Sequence, residues 1–223
     1  MIKVVVFDMD DTLFLEQEYV LSGFYKIDQF LESKGIIGFY NKAIDLFNSG
    51  VRGNIFNEVL DYFSIPYSIE DINVLVEIYR NHTPNIRLLE EAEWAISQLI
   101  PQYKLGLITD GYLNAQKNKA EALRLAEYFH NLIFTDQFGR EYWKPSEKPY
   151  IEMKKFFDVE HQELVYIGDN PSKDFITAKR LGWKTIHIVR ENSEYCNLEF
   201  PNTHQADYKI SSLYELPKLI EKL

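Results

Sequence analysis

Residues Ile2–Phe7 form a short, unbroken apolar run rich in β-branched side chains, the pattern of a strand buried on both faces. From Leu13 to about Ile100 apolar positions recur mostly at helical spacing. Turn-forming clusters interrupt them at Ser33–Gly38, Ser49–Gly53, Ser64–Ser68 and Asn81–Asn85. Four or five helices fit this stretch, with no strand. The rhythm then changes to alternating strand and helix. Strands are predicted at Tyr103–Ile108, Asn131–Thr135, Glu163–Ile167, Lys184–Val189 and around Tyr208–Ile210. Helices are predicted at Leu113–Glu127, about Pro149–Phe157, Pro171–Leu181 and Ser212–Lys222. Such alternation implies βαβ units and a parallel sheet. The simplest architecture is α/β: a doubly wound core from residues 1–14 and 82–223, with 15–81 as a helical bundle inserted after the first strand.

Open α/β sheets bind ligands at the carboxyl ends of their strands, so the residues that follow each strand matter most. After the first comes Asp8-Met9-Asp10-Asp11-Thr12. In extended chain, residues two apart face the same side, so Asp8 and Asp10 point together. Side-by-side carboxylates repel, and a hard cation such as Mg²⁺ offsets the repulsion. The same residues also suit a solvated acidic turn that caps the next helix. After Ile108 comes Thr109-Asp110-Gly111, where the Thr109 hydroxyl and the N–H groups of Asp110 and Gly111 can make a small anion site. An N-cap with a turn glycine fits this segment equally. Lys144 precedes Pro145 and is projected by a stiff loop, with Lys148-Pro149 a second pair of the same kind. A lysine there is able to balance a transferring phosphoryl group, or to serve only as a surface residue. After Ile167 comes Gly168-Asp169-Asn170-Pro171-Ser172-Lys173-Asp174. Asn170 reads as an N-cap, Pro171 as the first helical residue and Gly182 as the stop. Asp169 then lies in the strand-to-helix turn and Asp174 in the first helical turns, facing back.

Taken together, a DxD, a Thr, a Lys and a GDxxxxD follow successive predicted strands in this order. The set resembles the four motifs of the haloacid dehalogenase superfamily, over about residues 1–14 and 85–223. The helical insertion resembles that family's type 1 cap. By this resemblance Asp8 is a nucleophile that forms an aspartyl-phosphate, and Asp10 is general acid and then base. Thr109 and Lys144 hold phosphoryl oxygens, beside Asp110 and Gly111. Mg²⁺ is expected on the Asp8 side chain, the Asp10 backbone carbonyl and Asp169, with Asp174 supporting its waters or Lys144. Family dehalogenases carry Tyr two residues after the nucleophile and phosphonatases Ala, so Asp10 indicates a phosphatase or phosphomutase. Arg52, in the turn Asn48–Gly53, is a candidate for a second phosphate or a carboxylate of the substrate, or else a surface residue. Cap aromatics such as Tyr19, Phe24, Tyr25, Phe47, Phe56, Tyr62 and Phe63 occur at helical spacing and read mostly as core.

Composition narrows the partners. The chain has 223 residues, 46% hydrophobic, with a net charge of -10 and no Lys/Arg-rich run. This favours a small phosphorylated metabolite over nucleic acid or an anionic membrane. Cys196 is the one cysteine, which suits a reducing compartment, and no signal or membrane-spanning run is visible, so a cytoplasmic location is expected. The five histidines lack metal-ligand spacing, and Trp94, Trp143 and Trp183 read as packing residues. Two alternatives share the motifs: a sugar-phosphate mutase on the same core, and a non-catalytic phospho-acceptor module resembling a response-regulator receiver. Receivers place the acceptor Asp after a middle strand and lack a cap.

Overall fold

The structure, a computed structural model, describes residues 1–190 and 198–223; Cys196 lies outside them. The chain divides into two compact units, one of Met1–Glu16 with Arg87–Leu223, the other of Gln17–Ile86.

The first unit is built on a six-stranded parallel sheet: β1 (Val4–Phe7), β2 (Lys104–Thr109), β3 (Asn131–Phe134), β4 (Leu164–Gly168), β5 (Lys184–Ile188) and β6 (Tyr208–Ile210), ordered β3-β2-β1-β4-β5-β6. This is the doubly wound order, and its direction reverses between β1 and β4. A parallel strand covered on both faces needs apolar side chains on both, which explains Val-Val-Val-Phe in β1, every residue buried. One core cluster includes Val4, Val6, Tyr150, Tyr166, Phe175 and Trp183. Trp183 is the packing residue expected, and its indole donates to His161 Nδ1 at 2.8 Å. Trp94 instead stays 39% exposed, edge-on to Tyr214.

One helix start differs from expectation. The helix after β4 spans Phe175–Leu181, not Pro171–Leu181. Asn170 does not cap it: its Oδ1 accepts from Ser172 N at 2.9 Å and Ser172 Oγ at 2.6 Å, a local Asx-type turn. The turn delays the helix and places Asp174 at its N-cap position. The C-terminal segment is likewise a 3₁₀ turn, Leu213–Glu215, followed by a short helix, Leu216–Ile220.

The second unit holds four helices among the described residues: α1 (Glu16–Glu32), which starts in the first unit, α2 (Phe39–Asn48), α3 (Ile55–Tyr62) and α4 (Ile69–Asn81). Ser68 and Asp71 close a reciprocal capping box at the start of α4. Phe24, Ile27, Leu31, Phe39 and Val59 form its core. The Phe24 ring meets Phe39, Phe47 and Phe56 edge-on at 6.4, 6.1 and 6.4 Å. Tyr25, Tyr62 and Phe63 remain 54%, 63% and 36% exposed, so the aromatic spacing overstates the core at these three positions. The unit runs past residue 81 because Asn85 N donates to Ser22 Oγ at 2.9 Å, tying the segment after α4 back to α1.

Candidate active site

The site is assembled from chain that leaves the carboxyl ends of β1, β2 and β4, and from the loop after β3. Asp8 directly follows β1, and its N–H continues the ladder to Ile167 O at 2.8 Å. Its side chain is held at the sheet end by Lys144. The Lys144 ammonium donates to Asp8 Oδ1 at 2.7 Å, Asp174 Oδ1 at 2.8 Å and the Tyr166 hydroxyl oxygen at 2.9 Å. A longer contact runs to Ile108 O at 3.5 Å, and the side chain is fully buried. Burial alone would drive the ammonium toward its neutral form, but Asp174 and Asp8 outweigh it and hold its pKa well above the ordinary value. Lys148, the other Lys-Pro candidate, is 43% exposed and pairs with Glu152, so burial distinguishes Lys144 from it.

Asp8, Asp169 and Asp174 each offer an oxygen within 4.8 Å of the others. Asp174 is committed: Oδ1 faces Lys144, and Oδ2 accepts from Asn170 N at 3.0 Å. The chain makes room for it at Gly168, where a Cβ would collide with the Asp174 carboxylate. Asp169 is buried, and among the described residues no group donates to its carboxylate, while its carbonyl accepts from His187 Nε2 at 2.9 Å. Burial, then the charges of Asp174 and Asp8, push Asp169 well above the usual carboxylate range. Burial also pushes Asp8 up from 3.8 to about 6, with Lys144 pulling it down and Asp174 pushing it up. Lys144 thus leaves negative charge uncompensated at Asp169, on hard oxygen donors. A small divalent cation fits that donor set.

After β1 the chain turns, with Asp11 at φ 52° and Leu13 N donating to Met9 O at 2.9 Å. Asp11 caps the next helix, its Oδ1 accepting from Glu16 N at 2.8 Å. Asp10 and Asp8 therefore do not share one partner set. The Asp10 carboxylate accepts from Gln116 Nε2 at 2.7 Å and from Lys119 Nζ at 2.6 Å. These two donors hold the Asp10 side chain, while the metal expectation relies on its backbone carbonyl. Thr109, the last residue of β2, is buried, and its Oγ1 accepts from the same Gln116 amide at 2.6 Å. Gly111 follows at φ 134° with the Gln116 side chain packed where a Cβ would stand. Asp110 has a bracing role: it accepts from Lys144 N at 3.0 Å and Thr135 Oγ1 at 2.8 Å, and Lys173 lies 3.3 Å away. Burial raises its pKa, yet Lys144, Lys173 and these hydrogen bonds leave it below the usual value.

Asp8, Asp10, Thr109, Asp110, Lys144, Asp169 and Asp174 all belong to the first unit. Arg52 belongs to the second, where its guanidinium donates to Phe47 O at 2.7 Å and Val51 O at 2.8 Å and lies over the Phe47 ring. Those contacts hold its own turn together. Several contributors went unread in the sequence. Gln116 and Lys119 carry no motif, although their spacing of three on one helix face was legible. Tyr166 is a polar-tipped residue within an apolar strand. Arg190, two residues past β5, donates to Asp11 O at 2.9 Å and Thr12 O at 3.0 Å and pairs with Glu91, so it braces the turn after Asp8.

A family model described as haloacid dehalogenase-like hydrolase matches residues 5–188. A glyceraldehyde 3-phosphate phosphatase of Methanocaldococcus jannaschii is 27% identical over 100% of this chain and 99% of its own. Another of that description, from Pyrococcus abyssi, is 30% identical over 83% of this chain and 81% of its own. A solved HAD phosphatase from Thermococcus onnurineus superposes with a TM-score of 0.62 at 26% identity, over 98% of both chains.

Proposed function

This chain belongs to the haloacid dehalogenase-like hydrolase family, and from that premise we propose that it is a Mg²⁺-dependent phosphatase that hydrolyses a small phosphomonoester through an aspartyl-phosphate on Asp8. The observation that carries the reading is the buried pairing of Asp8 with Lys144 beside the buried Asp169 carboxylate, to which no group among the described residues donates. A nucleophile, a fixed cation and a set of hard oxygen donors suit phosphoryl transfer, because its demands are positioning and charge neutralisation.

Asp8 and Asp169, with the Asp10 backbone carbonyl, would hold the ion, and Asp174 would keep Lys144 in place. What Mg²⁺ supplies when bound is neutralisation of charge on the phosphoryl oxygens. The remaining work falls to the chain. An Asp8 oxygen bonds to phosphorus as the bond from phosphorus to the substrate oxygen breaks, and Asp10 gives that oxygen a proton. Water then attacks phosphorus, the bond to Asp8 breaks, and Asp10 takes the proton from the water. Lys144 and the Thr109 hydroxyl bind phosphoryl oxygens throughout. Two relatives are named for glyceraldehyde 3-phosphate, which makes short phosphorylated aldehydes and sugars the first substrates to assay. Arg52 remains, on the family resemblance, a candidate for a second phosphate or a carboxylate of the substrate.

The test is phosphate release from a panel of phosphomonoesters, with Mg²⁺ and with EDTA. Turnover with Mg²⁺, lost in EDTA and in Asp8→Asn, is expected. Full activity in EDTA, or comparable activity in the Asn variant, would contradict the proposal.

A further inference from the structure

On the phosphatase reading above, we propose that Gln116 and Lys119 are positioning residues that aim Asp10 at the leaving group and Thr109 at the phosphoryl group. Both project from one face of the helix Leu113–Ala122, and both are almost fully buried, at 2% and 3% exposure. A buried ammonium is costly unless paired, and Lys119 is paired with Asp10 Oδ1 at 2.6 Å. The second Asp10 oxygen accepts from Gln116 Nε2 at 2.7 Å. With each oxygen held by a separate donor, the carboxylate plane is fixed, yet its side chain keeps 20% exposure and stays open to a substrate.

The two contacts differ in chemistry. Lys119 holds Asp10, whereas Gln116 holds both Asp10 and Thr109. An acid aimed at the leaving oxygen contributes only where that oxygen needs a proton, so the Lys119 contact is felt with poor leaving groups. The Gln116 amide has two hydrogens, one for Asp10 and one for Thr109 Oγ1 at 2.6 Å. Because Thr109 accepts there, its own hydroxyl hydrogen is left to donate, and among the described residues no acceptor takes it. Gln116 therefore joins the loop after β1 to the loop after β2 and sets the direction of both. The absence of a side chain at Gly111 leaves the space that Gln116 fills.

The roles have separable signatures in kcat/KM, which reports the steps through leaving-group departure. The full-length protein with Mg²⁺ is compared on phenyl phosphate and p-nitrophenyl phosphate, probes of similar shape. The nitrophenolate leaves with little need of a proton. Lys119→Met is expected to lower kcat/KM on phenyl phosphate by about 100-fold, within the range of lost acid–base catalysis. On p-nitrophenyl phosphate the loss should be at least about tenfold smaller. Lys119→Arg should restore most of the difference. Gln116→Leu should lower both probes, since Thr109 serves the phosphoryl group they share. Equal losses on both probes for Lys119→Met, or none, would overturn the assignment while leaving the phosphatase reading standing. If Lys119→Met does not fold, Lys119→Gln is put to the same comparison. A wild-type protein inactive on both probes would overturn the phosphatase reading and the assignment with it.

Discussion

Replacing Asp8 by Asn should change how the metal-free protein responds to pH. Burial and Asp174 hold the Asp8 carboxyl at about 6 in the folded protein, above its ordinary 3.8, despite the pull of Lys144. A raised carboxyl pKa means that the folded state binds the proton more tightly than the unfolded chain. The resulting penalty is absent below the unfolded pKa, grows as pH rises and is complete above the folded pKa. A difference of about two units corresponds to about 3 kcal/mol at full effect. Roughly half of it develops between pH 5 and pH 8, or about 1.5 kcal/mol. For a chain of this size that is about 3–6 °C in Tm. Asn keeps the shape of Asp8 and carries no charge, and Lys144 retains Asp174 at 2.8 Å. In EDTA, wild type should lose those degrees between pH 5 and pH 8 relative to Asp8→Asn, with thermal unfolding followed by circular dichroism. Other groups titrate in both proteins and largely cancel in the comparison. Parallel pH curves would refute the reasoning.

Three further outcomes follow from the same geometry. Asp169→Asn should raise the Tm of the metal-free protein, since it removes a buried carboxylate to which no group among the described residues donates, and should abolish the Tm increase that Mg²⁺ gives wild type; a retained Mg²⁺ response would contradict its role. Lys144→Met should cost about 3–5 kcal/mol in urea unfolding at neutral pH, because it strands Asp8 and Asp174 as buried carboxylates, and the cost should shrink toward pH 4 as Asp8 protonates. Gly168→Ala should reduce phosphate release in step with a displaced Asp174, visible in a crystal structure, because the added methyl occupies the space of that carboxylate.

The central sheet was legible because a parallel strand covered on both faces has to be apolar throughout, as β1, β2 and β4 largely are, while the edge strand β6 is Tyr-Lys-Ile with only Ile210 buried. The residues at the carboxyl ends of three strands were legible for a related reason: Asp8, Thr109 and Asp169 interrupt apolar runs with polar groups where an open sheet binds its ligands. Helix starts were less visible. Pro171 reads as a first helical residue, but the Asn170 side chain competes by bonding Ser172, and a local turn wins. The supporting residues were hidden for another reason. Gln116, Lys119, Tyr166 and Arg190 acquire their roles from partners distant in the chain, such as Asp10 for Lys119, and spacing within one element carries no trace of a partner in another.

The central claim is that Asp8 carries the phosphoryl group between substrate and water, and trapping that state tests it most directly. The protein, mixed with Mg²⁺ and a substrate found in the panel, is quenched within one turnover and treated with borohydride, which reduces an acyl phosphate of aspartate to homoserine. Peptide mass spectrometry should then find homoserine at position 8 in the presence of substrate and unmodified Asp8 in its absence. Turnover with Asp8 unmodified at every quench time, or the same modification at another carboxylate, would contradict the account.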